Sequence, residues 1–166
     1  LSDHMMFYAD LKLLAYEEDL AAYVNEHTYT QDSVIEDTWE AYANALEAAQ
    51  SLLAQEKVHM MQDECKAALE ALQEAVATVR FKPTVVSNLV AKTTNYKTIA
   101  LTWDASEYAD TYVVERLSGE EWINVTQTSE TSYIAEGVKT GKEYTYRVKA
   151  INAEAEGSYS EEVKVT

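Results

Sequence analysis

Along residues 1–80 the apolar positions recur at steps of three and four. Met6, Ala9, Leu13, Tyr16, Leu20 and Tyr23 fall on one helical face. The polar run Glu26-His27-Thr28-Tyr29-Thr30-Gln31-Asp32 interrupts that pattern, and Ser33 followed three positions on by Glu36 has the spacing of a capping box, which predicts where a second helix opens. Ile35, Trp39, Tyr42, Leu46, Ala49 and Leu53 then repeat the spacing. A third stripe runs through Met61, Cys65, Ala68 or Leu69, Leu72, Ala75 or Val76, and Val79. The phase slips between Leu53 and Met61, so a turn is expected near Ala54 to Val58 although no glycine or proline marks it. With that turn, the segment forms an all-α antiparallel three-helix bundle rather than one long rod.

From Pro83 onward the period changes from about 3.6 to about 2. Ile99-Ala100-Leu101-Thr102-Trp103, Tyr112-Val113-Val114-Glu115-Arg116 and Trp122-Ile123-Asn124-Val125 are short strand-like runs separated by turn residues at Asp104 to Asp110 and at Ser118-Gly119. Tyr144-Thr145-Tyr146-Arg147-Val148-Lys149-Ala150 alternates most cleanly, and Val163 to Val165 closes the series. Some seven short strands in about 80 residues predict an all-β sandwich. Residues 1–80 hold no glycine and no proline, whereas all four glycines and the single proline follow. The chain therefore divides into a helical module, 1–81, and a β module, 84–166, joined through Arg80-Phe81-Lys82-Pro83. Proline disfavours helix at the residue before it and cannot continue one, so the junction is short and the relative orientation of the modules should be restricted.

The formal charge of −16 is shared unevenly, with 16 Asp/Glu against 5 Lys/Arg in residues 1–82 and 13 against 8 in residues 83–166. Such a surface keeps the chain soluble and repels phosphate backbones and anionic lipid, so neither nucleic acid nor membrane is an expected partner. The single cysteine excludes an intrachain disulfide. No run approaches the roughly 18 to 20 apolar residues of a membrane span, and none has the form of a signal peptide. The chain reads as an internal fragment of a longer protein, monomeric by itself; whether Leu1 to His4 are native is open.

A catalytic constellation is hard to assemble. His4, His27 and His59 lack zinc-ligand spacing and read as surface residues. Cys65 lies on an apolar stripe, where a thiol is a small hydrophobe. The acidic pairs Glu17-Glu18-Asp19, Glu36-Asp37, Glu120-Glu121 and Glu161-Glu162 are sequence neighbours, which point to different sides rather than across a cleft. No calcium loop and no glycine-rich phosphate loop occurs. No catalytic residue, metal ligand or cofactor is expected. Among twelve tyrosines and three tryptophans, Trp39 and Tyr42 sit on a helical stripe; with Trp103 and Tyr144 assigned to a core only by the family resemblance given next, Trp122 with Tyr133 or Tyr159 is the accessible candidate for stacking a sugar.

The segment from Val86 to Thr166 resembles a fibronectin type III domain of bacterial glycoside hydrolases. The residues that carry this are Ala100-Leu101-Thr102-Trp103, Tyr112 to Arg116, and the run from Gly137 to Asn152. The resemblance implies that Trp103 is the core tryptophan of the second strand and that the Tyr144 hydroxyl ties its strand to the preceding corner. No Arg-Gly-Asp tripeptide is present. The helical half resembles a FIVAR module of Gram-positive surface and secreted proteins, through Tyr29 to Ser33, Trp39, Ala45-Leu46-Glu47-Ala48-Ala49 and Ala67 to Val76.

Together the resemblances imply part of a secreted or cell-wall-attached carbohydrate-active enzyme, a virulence factor attacking host glycans such as mucin or hyaluronan, with catalysis outside this fragment. The expected role is a non-catalytic linker pair that spaces and orients other modules of the same polypeptide. The alternative is a binding module for glycan, host protein or a partner enzyme. An enzyme with two carboxyls converging in a cleft is the third reading.

Overall fold

The computed structural model describes residues 16–56 and 61–166, which fall into two compact units, Leu1–Arg80 and Phe81–Thr166. Met6, Ala9, Leu13, His4, His59 and the Val58 end of the expected turn lie outside the described residues.

In the first unit, α1 covers 16–26 as far as it is described, α2 runs Glu36–Leu53 and α3 runs Gln62–Thr78. One core joins them: Leu20 and Val24 from α1, Tyr42, Leu46, Ala49 and Leu52 from α2, and Cys65, Leu72 and Ala75 from α3. These are the stripes expected from the spacing, with two shifts. Tyr16 is exposed, and Leu52 rather than Leu53 takes the buried place at the end of α2. The helix accordingly stops at Leu53, with Ala54 as its C-cap, inside the stretch where the phase slips.

The capping box at Ser33 and Glu36 does not form. The residue before α2 is Ile35, which makes no side-chain cap, and Ser33 instead lies in a single 3₁₀ turn, Gln31–Ser33, where its hydroxyl donates to the Thr30 carbonyl at 2.7 Å. The start of α2 is held from elsewhere. The Ile35 N–H donates to the Arg80 carbonyl at 2.8 Å, the Arg80 N–H reaches Thr38 Oγ1 at 3.3 Å, and the Arg80 guanidinium pairs with Asp37. The end of the module thus satisfies the Ile35 N–H just before α2, and places a cation beside Asp37 in its first turn.

The second unit is a sandwich of two antiparallel sheets. One has the order β1 (Val90–Asn95), β2 (Thr98–Thr102), β5 (Ser132–Glu136); the other has β4 (Glu121–Thr128), β3 (Thr111–Ser118), β6 (Tyr144–Ile151), β7 (Glu156–Tyr159), with β8 (Val163–Val165) also on β6. Inward residues of both sheets make the core: Ile99, Leu101 and Ala135 from the first, Tyr112, Val114, Tyr146, Val148 and Ala150 from the second. Trp103, just after β2, joins them at 5% exposure.

Where about seven strands were expected, eight segments appear, because the last strand is broken. β7 and β8 both pair with β6, and buried Ser160 bridges the break. Its N–H donates to the Val148 carbonyl at 2.8 Å and its Oγ accepts the Val148 N–H at 3.0 Å.

The segment entering the sandwich is fastened to it. Phe81 stacks on Tyr108 with ring centroids 4.7 Å apart, the Phe81 carbonyl accepts from Asn152 Nδ2 at 3.1 Å, and Pro83 is buried. A Cβ on Gly157 would lie 2.7 Å from the Pro83 carbonyl oxygen, so β7 needs glycine where this segment crosses it.

Candidate functional site

The expected sugar platform was Trp122 with Tyr133 or Tyr159. Strand alternation sorts these residues first. On β6, Tyr144, Tyr146, Val148 and Ala150 point into the core, so Thr145, Arg147 and Lys149 point out. On β3 the outward set includes Glu115, which stands directly opposite Arg147 in the ladder. Trp122 on β4 and Tyr159 on β7 flank that pair on the same outer face. Tyr133, on β5 of the other sheet, packs against the core instead and is not part of the group.

Arg147 fills the space between the two rings. Its guanidinium carbon lies 4.1 Å from the Trp122 ring centroid and 3.6 Å from that of Tyr159. Arg147 Nε donates to Glu115 Oε2 at 2.8 Å, and a second guanidinium nitrogen lies 2.6 Å from the same oxygen. The Tyr159 hydroxyl donates to Glu115 Oε1 at 3.0 Å. Both Arg147 and Glu115 side chains are largely covered, at 21% and 13% exposure. Beside them Lys149 Nζ donates to Glu156 Oε2 at 2.6 Å and lies 5.1 Å from the Tyr159 ring. Hydrogen bonding to Glu156 raises the Lys149 pKa; burial opposes the rise and Tyr159 adds to it.

This arrangement uses the rings that a sugar would need. The faces of Trp122 and Tyr159 turned towards Arg147 are occupied, and both Glu115 oxygens are engaged. The group is therefore a clasp across β4, β3, β6 and β7, combining cation–π contact with a charge-assisted pair.

The remaining candidates are dispersed. The four acidic runs are exposed, apart from the half-covered Glu17, and do not converge. Among the described residues no group of three or more His, Cys, Asp or Glu is placed to hold a metal ion. His27 stacks on Tyr23 with centroids 4.0 Å apart and its Nδ1 is 3.1 Å from the Tyr23 carbonyl, so it closes the end of α1 rather than lying free on the surface. Cys65 is buried; burial raises the thiol pKa, and the nearby carboxylates Glu17 and Glu64 push it the same way. No helix of the described residues is long and apolar enough to cross a membrane.

The corner before β6 is closed by the Tyr144 hydroxyl, which accepts the Lys139 N–H at 2.9 Å. Trp103 in the core, this tyrosine corner, and sheets ordered β1-β2-β5 and β4-β3-β6-β7 make one consistent set. The fibronectin type III domain family matches residues 82–166, half of the chain. The chain belongs to the fibronectin type III family.

Solved structures similar to the type III module include one of FN3tt mut, with 18% identity over 51% of this chain and 96% of that chain, TM-score 0.49. A Fn3-like protein from Clostridium thermocellum shows 31% identity over 51% of this chain and 90% of that chain, TM-score 0.44. A third, titin kinase and its flanking domains, shows 23% identity over 51% of this chain and 17% of that chain, TM-score 0.46. Comparison with curated proteins gives no match.

The clasp was not legible beforehand. Its one sequence signal is that Glu115, Trp122, Arg147 and Tyr159 occupy outward positions on strands that are neighbours in a type III sandwich.

Proposed function

We infer that this pair of modules is a non-catalytic structural unit, which spaces and orients other modules of a secreted multimodular carbohydrate-active enzyme. On this reading the helical half is a FIVAR-like module and the parent protein is an extracellular glycoside hydrolase of a Gram-positive bacterium.

The observation that carries the structural role is at residues 80–83. Arg80 is bound through its N–H, carbonyl and guanidinium to the helical module, and Phe81 is bound through its ring and carbonyl to the type III module. Thr84 continues the attachment, accepting from the Glu107 N–H at 3.0 Å and donating to the Glu107 carbonyl at 3.1 Å. A chain with no slack residues between two folded modules restricts their orientation without requiring any interface between them.

The clasp supports the same reading, because the outer sheet face spends its aromatic rings on internal contacts. Small-angle scattering of the 166-residue chain tests the proposal. A profile reproduced by a narrow range of intermodule angles is expected; a profile that demands widely spread angles would refute a spacing role.

A further inference from the structure

The most exposed large aromatic side chain among the described residues is Tyr96, at 70% exposure, in the turn between β1 and β2. It lies at one end of the sandwich, beside the connection that leads from β5 into β6. Two hydrogen bonds tie the turn to that connection: the Thr140 hydroxyl donates to the Tyr96 carbonyl at 3.1 Å, and the Val138 N–H donates to the Lys97 carbonyl at 3.1 Å. Within the turn, Asn95 Oδ1 accepts the Lys97 N–H at 2.8 Å. The exposed ring is thus carried on a braced backbone.

Two concavities meet at Tyr96. One, of about 150 Å³, is walled by Tyr96, Lys139, Thr140 and Lys142 with Ile99 and Val138 at its base; the other, of about 420 Å³ and more open, is bordered by Asn95, Tyr96, Lys97 and Glu136. Lys97 Nζ is 5.4 Å from the Tyr96 ring centroid and Lys142 Nζ is 5.3 Å from that of Tyr144. None of Lys97, Lys139 and Lys142 forms an ion pair with a described residue, whereas the nearby Glu143 approaches Lys164 at 3.8 Å. Glu136 is the acidic side chain bordering the larger concavity, and Thr166, whose carbonyl group accepts from the Thr93 hydroxyl at 2.8 Å, also lines the smaller one. In a chain of charge −16, three ammonium groups with no ion pair among the described residues, lining the two concavities that share Tyr96, form a local exception. At physiological ionic strength charges are screened beyond about 8 Å, so the distant acidic surface does not cancel it.

We propose that this end of the type III module binds an anionic saccharide, with a sugar ring lying on Tyr96 and its carboxylate or sulfate groups held by Lys97, Lys139 and Lys142. The smaller cavity is below the roughly 300–1,000 Å³ that encloses a whole small-molecule ligand. The ligand is therefore a chain lying across the end of the sandwich, with one substituent entering the cavity, and Asn95 and Thr140 at hand for its hydroxyls. The aromatic face and the hydroxyl and amide groups favour a saccharide over an acidic peptide, which needs only the lysines. This site is separate from the spacing role and stands or falls independently of it.

The test is a ¹H–¹⁵N NMR titration of the whole chain with four probes: a heparin hexasaccharide, a hexamer of galacturonic acid, neutral maltohexaose and hexaglutamate. The expected result is fast-exchange shifts confined to residues 95–98 and 136–143 with one or both acidic sugars, and none with maltohexaose. Tyr96→Ala should weaken that binding about three- to tenfold through the lost stacking. Lys139→Gln and Lys142→Gln should each weaken it about two- to fivefold, and more at low salt. These side chains are on the surface, so an unchanged spectrum elsewhere certifies the fold of each variant. A response to heparin alone would show that sulfate is required, since heparin also carries carboxylates; a response to the galacturonic acid hexamer would show that carboxylate suffices. No shifts with either acidic sugar, shifts centred on Trp122 instead, equal response to maltohexaose, hexaglutamate binding as well as the sugars, or Tyr96→Ala without effect would each overturn the proposal.

Discussion

Tyr42 in the helical module and Tyr144 in the type III module do related work over different distances. Both are buried, and each hydroxyl accepts a main-chain N–H from a connecting segment, Tyr29 at 2.8 Å and Lys139 at 2.9 Å. The Tyr144 contact spans 5 positions, and the Tyr42 contact spans 13, with a further donation to the His27 carbonyl at 2.6 Å over 15. A latch that closes over a few residues is a local motif and leaves a sequence signature. One that closes over a helix turn and a loop exists only after the helices have packed, and leaves none. The two modules therefore differ less in how they are held than in how visibly their sequences say so.

The largest effects should come from the cores, and they test whether the modules are separate cooperative units. Leu72→Ala and Leu101→Ala each remove a side chain that is 0% exposed, in different modules. Each should cost about 2–5 kcal/mol. In urea unfolding followed by NMR peak intensities, Leu72→Ala should shift the midpoint of residues below 80 alone and Leu101→Ala that of residues above 83 alone. A common shift of both would merge the two modules into one unit.

The latch comparison sharpens next. Tyr42→Phe removes the acceptor of the Tyr29 N–H and the donor to the His27 carbonyl together, and about 1–3 kcal/mol of helical-module stability should go. Tyr144→Phe strands only the Lys139 N–H, so chemical denaturation should show a smaller loss, near 1 kcal/mol. Equal losses would mean that latch length and partner number do not matter. Gly157→Ala must move β7 or the Pro83 carbonyl aside, at about 1–3 kcal/mol confined to the type III module, read from the same denaturation curves.

Arg147→Gln removes the cation between Trp122 and Tyr159 and leaves Glu115 with the tyrosine hydroxyl alone. A loss of about 1–2 kcal/mol is expected, with a changed Trp122 fluorescence that Arg147→Lys restores only in part, since an ammonium does not reproduce the planar contact.

The smallest effect is on the helical side. The Cys65 pKa is raised from its ordinary 9.0 by burial and by Glu17 and Glu64, so the folded module holds the thiol proton more tightly than the unfolded chain does. That contribution is fully present below pH 9.0 and is lost as pH rises through the folded value. Wild type should therefore lose stability above that pH relative to Cys65→Ala, and native Cys65 should react with a disulfide reagent only as fast as the module opens.

Much of the architecture was legible. The helical stripes gave Leu20, Tyr42, Leu46, Ala49, Cys65 and Leu72, because a buried face at helical spacing is written directly into residue order. The long alternating β6 was equally plain. β1 was not, since its burial pattern shows five exposed positions of six and hence no alternation to find. The capping box misled for a physical reason: Ser33 satisfies the Thr30 carbonyl in its own turn, while the Ile35 N–H before α2 takes the carbonyl of Arg80, which lies 45 positions on and is invisible to a local pattern. For the site, the sequence pointed to Trp122 and Tyr159 but not to the arginine between them, because stacking across three strands depends on register. Tyr96 was overlooked for the opposite reason. An aromatic in a short polar turn carries no periodic signal at all.

The account rests most on the junction at Arg80 and Phe81, and ¹⁵N relaxation reads it directly. In the wild-type chain, amides of both modules should report one rotational correlation time. Insertion of about six Gly-Ser residues between Arg80 and Phe81 should split it into two shorter ones, as a flexible tether frees each module. Two separate correlation times already present in the wild type would contradict the account.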